Sequence, residues 1–311
     1  MSQQSNNNPL ICDPNEGVCG LPGSTQAPYG AKSATGNTLK LVYFTDPICS
    51  SCWGIEPQLR KLKLEYGKHI TLEYRMGGLL PDWSYNSGGI SKPSDVAHHW
   101  DEVSLHYDMP IDGDVWLEDP LSSSYPPSIA FKAAQLQDET KAIHFLRTMR
   151  EMVFLQKKNI ARPEHIATAA TRAGLDTTQL KANTEGTAKL MFEEDLKLAR
   201  QYGVMGFPTM FIINERGSRQ MVYGTKPYAV YEAAVLRSEE AAVKVNYDSS
   251  PEALFAHYPS LTAKEYAELS GTPREQSEAA LDAMVAEGKL SKLTTILERS
   301  QETQQCVRTS Y

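Results

Sequence analysis

The sequence predicts an α/β fold in which one mixed sheet is interrupted by a long helical insertion and followed by a small helical module. A strand, a helix and a second strand follow one another within residues 39–76, and strands in this order pair in parallel by default. Amphipathic helical patterns fill about residues 78–202, and a hairpin and a closing helix come after them. We expect the hairpin to return to the sheet that the first unit begins.

Each element of this plan has a local signature. "LKLVYFT" has the β-branched and aromatic composition of a buried strand, and "HITLEYRM" is the second strand. Between them a helix is predicted from Ser50 to Tyr66, with Leu59 and Leu62 on its inner face and Gly67 as its C-cap. "PTMFIIN" and "SRQMVYG" form the returning hairpin, and "PYAVYEAAVLRS" forms the closing helix.

The chain divides into three predicted parts. Residues 1–38 are rich in Asn, Gln, Pro, Gly and Ser, which predicts a flexible leader. Residues 39–240 carry the α/β domain with its insertion. Residues 245–311 form a separate helix-turn-helix-like domain, in which Thr262 caps the first helix and Gly271 makes the turn.

Composition excludes several classes of function. The chain has 311 residues, of which 41% are hydrophobic and 22% charged, and its formal net charge is -7. This balance argues against a general nucleic-acid or anionic-membrane binder. No run approaches the roughly 20 apolar residues that span a bilayer, and the polar start lacks the pattern of a secretory signal. We therefore expect a cytoplasmic protein with no membrane partner.

The C-terminal segment has the layout of a winged helix-turn-helix, which suggests DNA binding, but its charge argues against that function. Residues 245–311 hold six Lys and Arg against ten Asp and Glu. Contacts to phosphate dominate affinity for DNA, and an acidic surface repels phosphate. The sequence predicts a protein-docking module and no nucleic-acid partner.

The stretch "DPICSSCW" carries the residues that point to chemistry. Cys49 and Cys52 flank two serines where the first strand meets its helix, so that Cys49 lies at a helix N-terminus. Unpaired N–H groups there stabilise a thiolate. This predicts Cys49 as the exposed nucleophile of low pKa and Cys52 as the buried thiol that resolves a mixed disulfide. A zinc site that also uses Cys12 and Cys19, or two inert core thiols, are the alternatives.

The residues around Cys49 moderate this expectation. No histidine lies between the two cysteines, and Asp46 disfavours a nearby thiolate if it is close in space. We therefore expect Cys49 to be less acidic than the nucleophile of a strongly oxidising relative, whose pKa is around 3.5.

Pro208, in "GFPT", comes directly before the returning strand. A cis-proline at that position faces the nucleophile and offers backbone groups to a peptide. A Cys-X-X-Cys pair followed much later by "GFPT" and a hairpin is the signature of the thioredoxin fold, and the helical insertion indicates its DsbA-like branch. Trp53, Phe207 and Thr209 are the candidates for a substrate groove, although packing beside the cysteines is the simpler role for Trp53.

Four longer stretches resemble a known family. "DPICSSCWGIEPQLRKLKLEYG", "GDVWLEDPLSSSYPPSIAFKAAQLQ", "FLRTMREMVFLQKKNI" and "YAVYEAAVL" are similar to the SpxH (YjbH) family of DsbA-like proteins and, more distantly, to FrnE-type dithiol-disulfide isomerases. The FrnE resemblance implies a cytoplasmic thiol-disulfide oxidoreductase. The SpxH resemblance implies an adaptor that holds the transcription factor Spx for the ClpXP protease. Some SpxH relatives lack an intact cysteine pair; on the family pattern, Cys49, Cys52 and Pro208 correspond to the redox site. "CDPNEGVC" replaces the His/Cys-rich leader of SpxH, which puts a zinc role of the leader in doubt.

The remaining candidates are weaker. Cys12 and Cys19 form an auxiliary redox pair that exchanges with Cys49, or else they are two exposed thiols of the leader. Cys306 is interpreted as incidental, and the pair His98 and His99 as ordinary helix residues, because neither histidine is followed at i+4 by another histidine or a cysteine. No metal site and no cofactor are predicted.

Taken together, these features predict a cytoplasmic DsbA-family thiol-disulfide oxidoreductase that acts on protein substrates through its Cys-Ser-Ser-Cys pair. The alternative is an SpxH-like adaptor that grips an Spx-type regulator through the same groove and the C-terminal module, and delivers it to ClpXP. A glutathione-dependent enzyme of the kappa type is a third interpretation, and it fits an intact cysteine pair less well.

Overall fold

The computed structural model describes residues 12–13, 18–20, 39–84, 91–297 and 302–309. The strands in these ranges are β1 (Cys12–Asp13), β2 (Val18–Gly20), β3 (Leu39–Thr45), β4 (Ile70–Met76), β5 (Gly206–Phe207), β6 (Thr209–Asn214), β7 (Arg219–Tyr223), β8 (Ser260–Thr262), β9 (Leu290–Leu297) and β10 (Glu302–Thr309). The helices are α1 (Ser50–Gly54), α2 (Glu56–Tyr66), α3 (Pro93–Tyr107), α4 (Val115–Glu118), α5 (Tyr125–Gln135), α6 (Glu139–Leu155), α7 (Pro163–Arg172), α8 (Thr177–Glu185), α9 (Thr187–Gln201), α10 (Tyr228–Ser238), α11 (Pro251–His257), α12 (Ala263–Ser270) and α13 (Arg274–Ala286).

A mixed sheet with the strand order β4-β3-β6-β7 lies at the centre of the fold. β3 pairs in parallel with β4 and antiparallel with β6, and β6 pairs antiparallel with β7, which confirms the predicted unit and hairpin. β3 is buried along nearly its whole length, as suits its β-branched and aromatic residues. Phe44 lies opposite Thr209 in the register, so the end of β3 and the start of β6 meet at the same end of the sheet.

The helix predicted after β3 is broken into α1 and α2, which meet at Ile55. Pro57 lies in the first turn of α2. Proline has no N–H, and its ring clashes with the carbonyl group four residues earlier, here that of Trp53, so a straight helix cannot continue through it. The Ile55 N–H bonds the Trp53 carbonyl oxygen instead. The prediction of one continuous helix is therefore wrong, and a separate short helix carries the cysteine pair.

Helices α3 to α9 lie between β4 and β5 and form the predicted insertion, in which α5 packs against α6, α8 and α9. Buried Asp195 of α9 joins this bundle to the sheet. Its carboxylate accepts hydrogen bonds from Arg75 Nη1 at 2.8 Å and from the Met76 N–H at 2.9 Å, both on β4, and pairs with Lys132 of α5 at 2.9 Å. A buried carboxylate needs such partners, so the bundle has a fixed place against β4.

The C-terminal segment has the element order α11, β8, α12, α13, β9, β10, with the strands in the order β8-β10-β9. Thr262 caps α12 as predicted, in a capping box with Glu265, and Gly271 ends that helix in the left-handed conformation. Elements α11, β8 and β10 were not predicted. The winged-helix assignment and the predicted domain boundaries stay predictions.

Buried ion pairs hold the C-terminal segment against α2 and α6. Arg147 of α6 donates from both terminal nitrogens to the Glu265 carboxylate, at 2.8 and 3.0 Å, and its Nε donates to Glu151 at 2.8 Å. Arg60 of α2 donates to the Ser260 carbonyl oxygen at 2.8 Å. Arg308 of β10 pairs with Glu151. Because each of these charges has a partner, the charged junction can be buried without orphaned groups.

Most of the predicted leader lies outside the described residues. The part that the structure describes, β1 and β2, pairs antiparallel, and β2 also pairs antiparallel with β5. In the described ranges no helix is long and apolar enough to cross a membrane.

Candidate functional site

Cys49 lies at the N-cap of α1, where the sequence places it. The Cys52 N–H donates to Cys49 Sγ at 3.1 Å, and the Trp53 N–H donates to the Cys49 carbonyl oxygen at 3.1 Å. The first bond directs an N–H group of the first helical turn at the sulfur, and the second is an ordinary backbone bond of the helix. The local geometry is therefore that of a thiol seated on a helix N-terminus.

Burial changes the expected acidity of this thiol. Cys49 and Cys52 are both 0% exposed. Burial is the main cause that raises the pKa of Cys49 well above its usual value. The prediction of an exposed Cys49 with a low pKa is therefore wrong. The loss of solvent around the buried thiol raises its pKa more than the helix N-terminus lowers it. The narrower expectation that Cys49 is less acidic than a strongly oxidising nucleophile agrees in direction.

Asp46 is not the cause of that reduced acidity. Its buried carboxylate accepts hydrogen bonds from the Ile48 N–H at 3.1 Å, the Leu79 N–H at 2.8 Å and Ser124 Oγ at 2.9 Å. Burial raises the pKa of Asp46 to about 6 despite these bonds. Asp46 therefore links the loop before Cys49 to the loop after β4 through hydrogen bonds.

Arg150 of α6 is a buried cation behind the cysteine pair that the sequence analysis missed. Its Nη2 donates to Thr45 Oγ1 at 2.6 Å, and its Nη1 pairs with Glu56. Burial by itself raises the pKa of Cys52, but a hydrogen bond with Cys49, the charge of Arg150 and a hydrogen bond with Thr45 lower it overall. The pair thus keeps its negative charge more readily on Cys52 than on Cys49 in this arrangement.

The peptide bond between Phe207 and Pro208 is cis, as expected for this position. Thr209, the next residue, lies opposite Phe44 at the end of β3, from which the chain leads to Cys49. The Thr225 hydroxyl, which follows β7, lies 3.5 Å from the Ser51 carbonyl oxygen and links the same end of the hairpin to α1. The sheet register therefore brings the cis-proline and the cysteine helix to one end of the molecule.

The three candidates for a substrate groove are buried. Trp53 and Phe207 are 0% exposed and Thr209 is 1% exposed. The Trp53 ring stacks on Phe154 at 5.5 Å between centroids, and its Nε1 donates to the Pro110 carbonyl oxygen at 3.0 Å. These buried side chains offer almost no surface to a partner, and the groove assignment stays a prediction.

The leader places one of its cysteines at this edge. Cys12 lies opposite Cys19 in the β1–β2 pair, and Cys19 lies opposite Phe207 in the β2–β5 pair. β2 also packs against α1. The backbone of the leader thus meets both elements that carry the candidate site.

The histidine pair and Cys306, the remaining candidates from the sequence, lie outside the site around Cys49 and Cys52. The His98 side chain is largely exposed and pairs with Glu102 of the same helix. Cys306 is buried in β10, and burial raises the pKa of its thiol. Among the side chains that the structure describes, no cluster of His, Cys, Asp and Glu could hold a metal ion. A cavity of about 350 Å³ lies at the charged junction between α2, α6 and the C-terminal segment, and its lining does not include the cysteine pair.

The fold has relatives among known structures. A sequence profile of the thioredoxin family matches residues 43–233. A putative protein disulfide isomerase from Nitrosomonas europaea is 20% identical, with a TM-score of 0.55 over 66% of this chain and 97% of its own. The cytosolic disulfide reductase DsbM from Pseudomonas aeruginosa is 21% identical, with a TM-score of 0.52 over 64% of this chain and 98% of its own. At these identities the likeness concerns the fold, which is that of a DsbA-like thioredoxin-fold protein.

The sequence relatives are more specific. The ClpXP adapter protein SpxH of Halalkalibacterium halodurans is 35% identical over 231 residues, which cover 72% of this chain and 74% of that protein. The protein of the same name from Bacillus subtilis is 29% identical over 260 residues, which cover 82% of this chain and 86% of that protein. The chain belongs to the SpxH family.

Proposed function

We propose that the chain is an adaptor that binds a protein partner of the Spx-regulator type and presents it to a ClpXP-type protease. The 35% identity to a protein named as a ClpXP adapter supports this function. The structural observation that carries it is the pairing of β5 with an extended segment, here the chain's own β2, beside the cis-proline. A strand edge that accepts one extended segment can accept another of a partner, through main-chain hydrogen bonds.

An exposed apolar side chain adjoins this edge. Met205, directly before β5, is 60% exposed. Methionine is flexible and polarisable, and it is over-used on surfaces that bind varied protein segments. In the proposed complex Met205 contacts the partner segment that pairs with β5.

The test compares two methionine variants of the intact chain. Met205→Ser is expected to weaken the binding of an Spx-type regulator about tenfold, or about 1.4 kcal/mol, because an apolar contact at the edge is lost. Met221→Ser is the matched control, since Met221 is 59% exposed but lies on the outer strand β7. Titration calorimetry measures both affinities. Equal losses for the two variants, or no loss for either, would contradict binding at β5.

The second candidate function is thiol-disulfide exchange on protein substrates through Cys49 and Cys52, with Pro208 orienting the substrate strand. The seat of Cys49 at the N-cap of α1 favours it, as does the buried charge of Arg150 beside the pair. The Cys49 thiolate attacks a substrate disulfide and forms a mixed disulfide, while one substrate sulfur leaves as a thiolate. Cys52 then attacks Cys49 Sγ, which forms the Cys49–Cys52 disulfide and releases the second substrate thiolate.

Substrate trapping tests this second function. Cys52→Ser is expected to arrest the reaction at the mixed disulfide, so that partner proteins linked to Cys49 appear on non-reducing gels and are released by reductant. The double variant Cys49→Ser/Cys52→Ser is the control. If the single variant links no more protein than the double variant, the exchange function is contradicted. The predicted cytoplasmic location belongs to both proposals.

A further inference from the structure

The leader hairpin places two cysteines in register with each other and with the edge beside the cis-proline. Cys12 is the direct partner of Cys19, and Cys19 is the direct partner of Phe207. The chain therefore lines up Cys12, Cys19 and the residue before Pro208 across three adjacent strands. β2 also packs against α1, the helix that begins directly after Cys49.

The backbone spacing of this arrangement suits disulfide chemistry. Directly opposed residues of antiparallel strands have Cα atoms about 4.5 to 5.5 Å apart. Disulfides form when the Cα atoms are about 4.4 to 6.8 Å apart. The register of Cys12 with Cys19 thus meets the backbone requirement for a cross-strand disulfide.

The position of β2 is the position of a substrate strand. An extended peptide can add to a sheet edge as a further strand, and β2 occupies such a position, antiparallel to Gly206 and Phe207. Cys49 is wholly buried in the same structure, although a reactive thiol is normally partly exposed. The leader strand β2 lies against the two elements next to this buried thiol, α1 and β5.

We propose that Cys12 and Cys19 form a second redox couple, which the leader hairpin presents to the Cys49–Cys52 pair as a built-in substrate strand. This inference rests on the exchange function proposed above for Cys49 and Cys52. Cys19 is the thiol that exchanges directly with Cys49, because Cys19 lies on the strand that pairs with β5, whereas Cys12 lies one strand further out.

The transfer is balanced within the chain. In the oxidised protein the Cys19 thiolate attacks Cys49 Sγ; the Cys19–Cys49 bond forms, the Cys49–Cys52 bond breaks and Cys52 leaves as a thiolate. The Cys12 thiolate then attacks Cys19 Sγ, which forms the Cys12–Cys19 disulfide and releases the Cys49 thiolate. Two electrons pass from the leader thiols to the Cys49–Cys52 pair, which takes up the two protons that the leader thiols give up, and the reverse steps return them.

The experiment traps the intermediate in two matched variants of the full chain. Besides the buried Cys306, Cys12→Ser/Cys52→Ser leaves Cys19 and Cys49, and Cys19→Ser/Cys52→Ser leaves Cys12 and Cys49. Each is treated with oxidised glutathione, which converts Cys49 to a mixed disulfide that the remaining leader thiol can attack. Peptide mapping under non-reducing conditions then quantifies the disulfide between the leader cysteine and Cys49.

The expected result is a Cys19–Cys49 disulfide at least tenfold more abundant than the Cys12–Cys49 disulfide. Equal yields would mean that the leader reaches Cys49 only by random collision, and they would overturn the proposal. Glutathionylation of Cys49 without transfer to Cys19 would overturn this proposal alone. If Cys49 does not react with oxidised glutathione at all, the exchange function itself fails.

The zinc content of the purified protein tests the alternative that Cys12, Cys19, Cys49 and Cys52 bind a metal ion. One zinc ion per chain in the reduced wild-type protein, lost in the Cys12→Ser/Cys19→Ser variant, would show that the two pairs form a metal site and would overturn the redox couple. The expected zinc content is the same for both proteins and close to zero.

Discussion

At the scale of single residues, Arg150 sets the charge behind the cysteine pair. Its guanidinium is buried beside Thr45 and Glu56, and its charge lowers the pKa of both cysteine thiols against the effect of burial. The charge of this buried guanidinium acts strongly on the thiols because little solvent lies between them to screen it.

Arg150→Met is therefore expected to raise the pKa of the pair by about one unit or more, and to slow its alkylation by iodoacetamide at neutral pH about tenfold. The pH dependence of the alkylation rate measures the shift. Arg150→Lys, which keeps the charge, is the control and is expected to retain most of the wild-type rate. An unchanged pH profile in a folded Arg150→Met protein would contradict this role.

Asp46 makes a pH-dependent contribution to stability. The folded protein holds the Asp46 proton up to about pH 6, whereas the unfolded chain releases it near 3.8. The folded state therefore binds more protons between these values, and the free energy of unfolding falls as pH rises through this window, by roughly 2–3 kcal/mol at most.

The Asp46→Asn variant should lack this component. Urea unfolding gives the free energy of unfolding of each protein at pH 4.5 and at pH 7.5. The change between the two pH values should be larger in the wild type than in the variant, and the excess is the contribution of Asp46. Asn also disturbs the hydrogen bonds to Ile48, Leu79 and Ser124, and this loss is largely common to both pH values. The same pH dependence in both proteins would show that Asp46 ionises normally.

At the scale of elements, the loop after β4 approaches strand β5 closely at Gly77. A Cβ atom on Gly77 would lie 1.7 Å from the Phe207 ring, which is itself buried. Only glycine leaves room for the ring there. The edge that presents β5 and Pro208 therefore depends on this residue.

Gly77→Ala is expected to destabilise the fold by roughly 1–3 kcal/mol, because Phe207 must leave its site. The double variant Gly77→Ala/Phe207→Leu should be less destabilised than the sum of the two single variants, since the smaller side chain relieves the clash. Chemical denaturation of all three measures this coupling. Strict additivity would mean that the two residues do not compete for the same space.

The same elements show what the sequence can and cannot predict. Strands β3, β4, β6 and β7 were predictable because their apolar patterns and turns are local. The break at Ile55 was not predicted, although Pro57 in the first turn of α2 is a local signal for it. Arg150 could not be assigned, because an arginine in an amphipathic helix usually lies at the surface, whereas here it is buried with Thr45 of β3 and Glu56 of α2 as partners.

The burial of Cys49 had no local signal either. It depends on long-range placement of elements around α1, among them the leader strand β2, whose sequence is that of an unstructured segment. Local propensity describes such a strand poorly, because its partner β5 comes much later in the chain.

At the scale of the whole molecule, the C-terminal segment is held to α2 and α6 by ion pairs that centre on Glu265. This carboxylate is 0% exposed and faces both Arg147 and Arg60. Burial opposes its ionisation, but the two arginines outweigh that effect and lower the pKa of Glu265. Its stabilising contribution is therefore present above the usual Glu pKa of about 4.3 and is lost as pH falls through the lower folded value.

Glu265→Gln is expected to cost about 3–5 kcal/mol at neutral pH, because it leaves buried arginine charges without their partner. Limited proteolysis between α10 and α11 should accelerate in the variant. Glu268→Gln is the matched control, since Glu268 forms a partly exposed pair with Lys61, and a loss of at most about 1 kcal/mol is expected. If the two variants behave alike, Glu265 does not anchor the segment.

Delivery of a protein partner to a protease, the function proposed above, can be tested in one reconstituted assay. Degradation of a purified Spx-type regulator by ClpXP is followed with and without the protein, and with its Cys49→Ser/Cys52→Ser variant. We predict that both forms of the protein accelerate degradation to a similar extent, because binding at the β5 edge needs no thiol chemistry. No acceleration by the wild-type protein would contradict the adaptor function, and acceleration only with the intact cysteine pair would show that exchange is part of delivery.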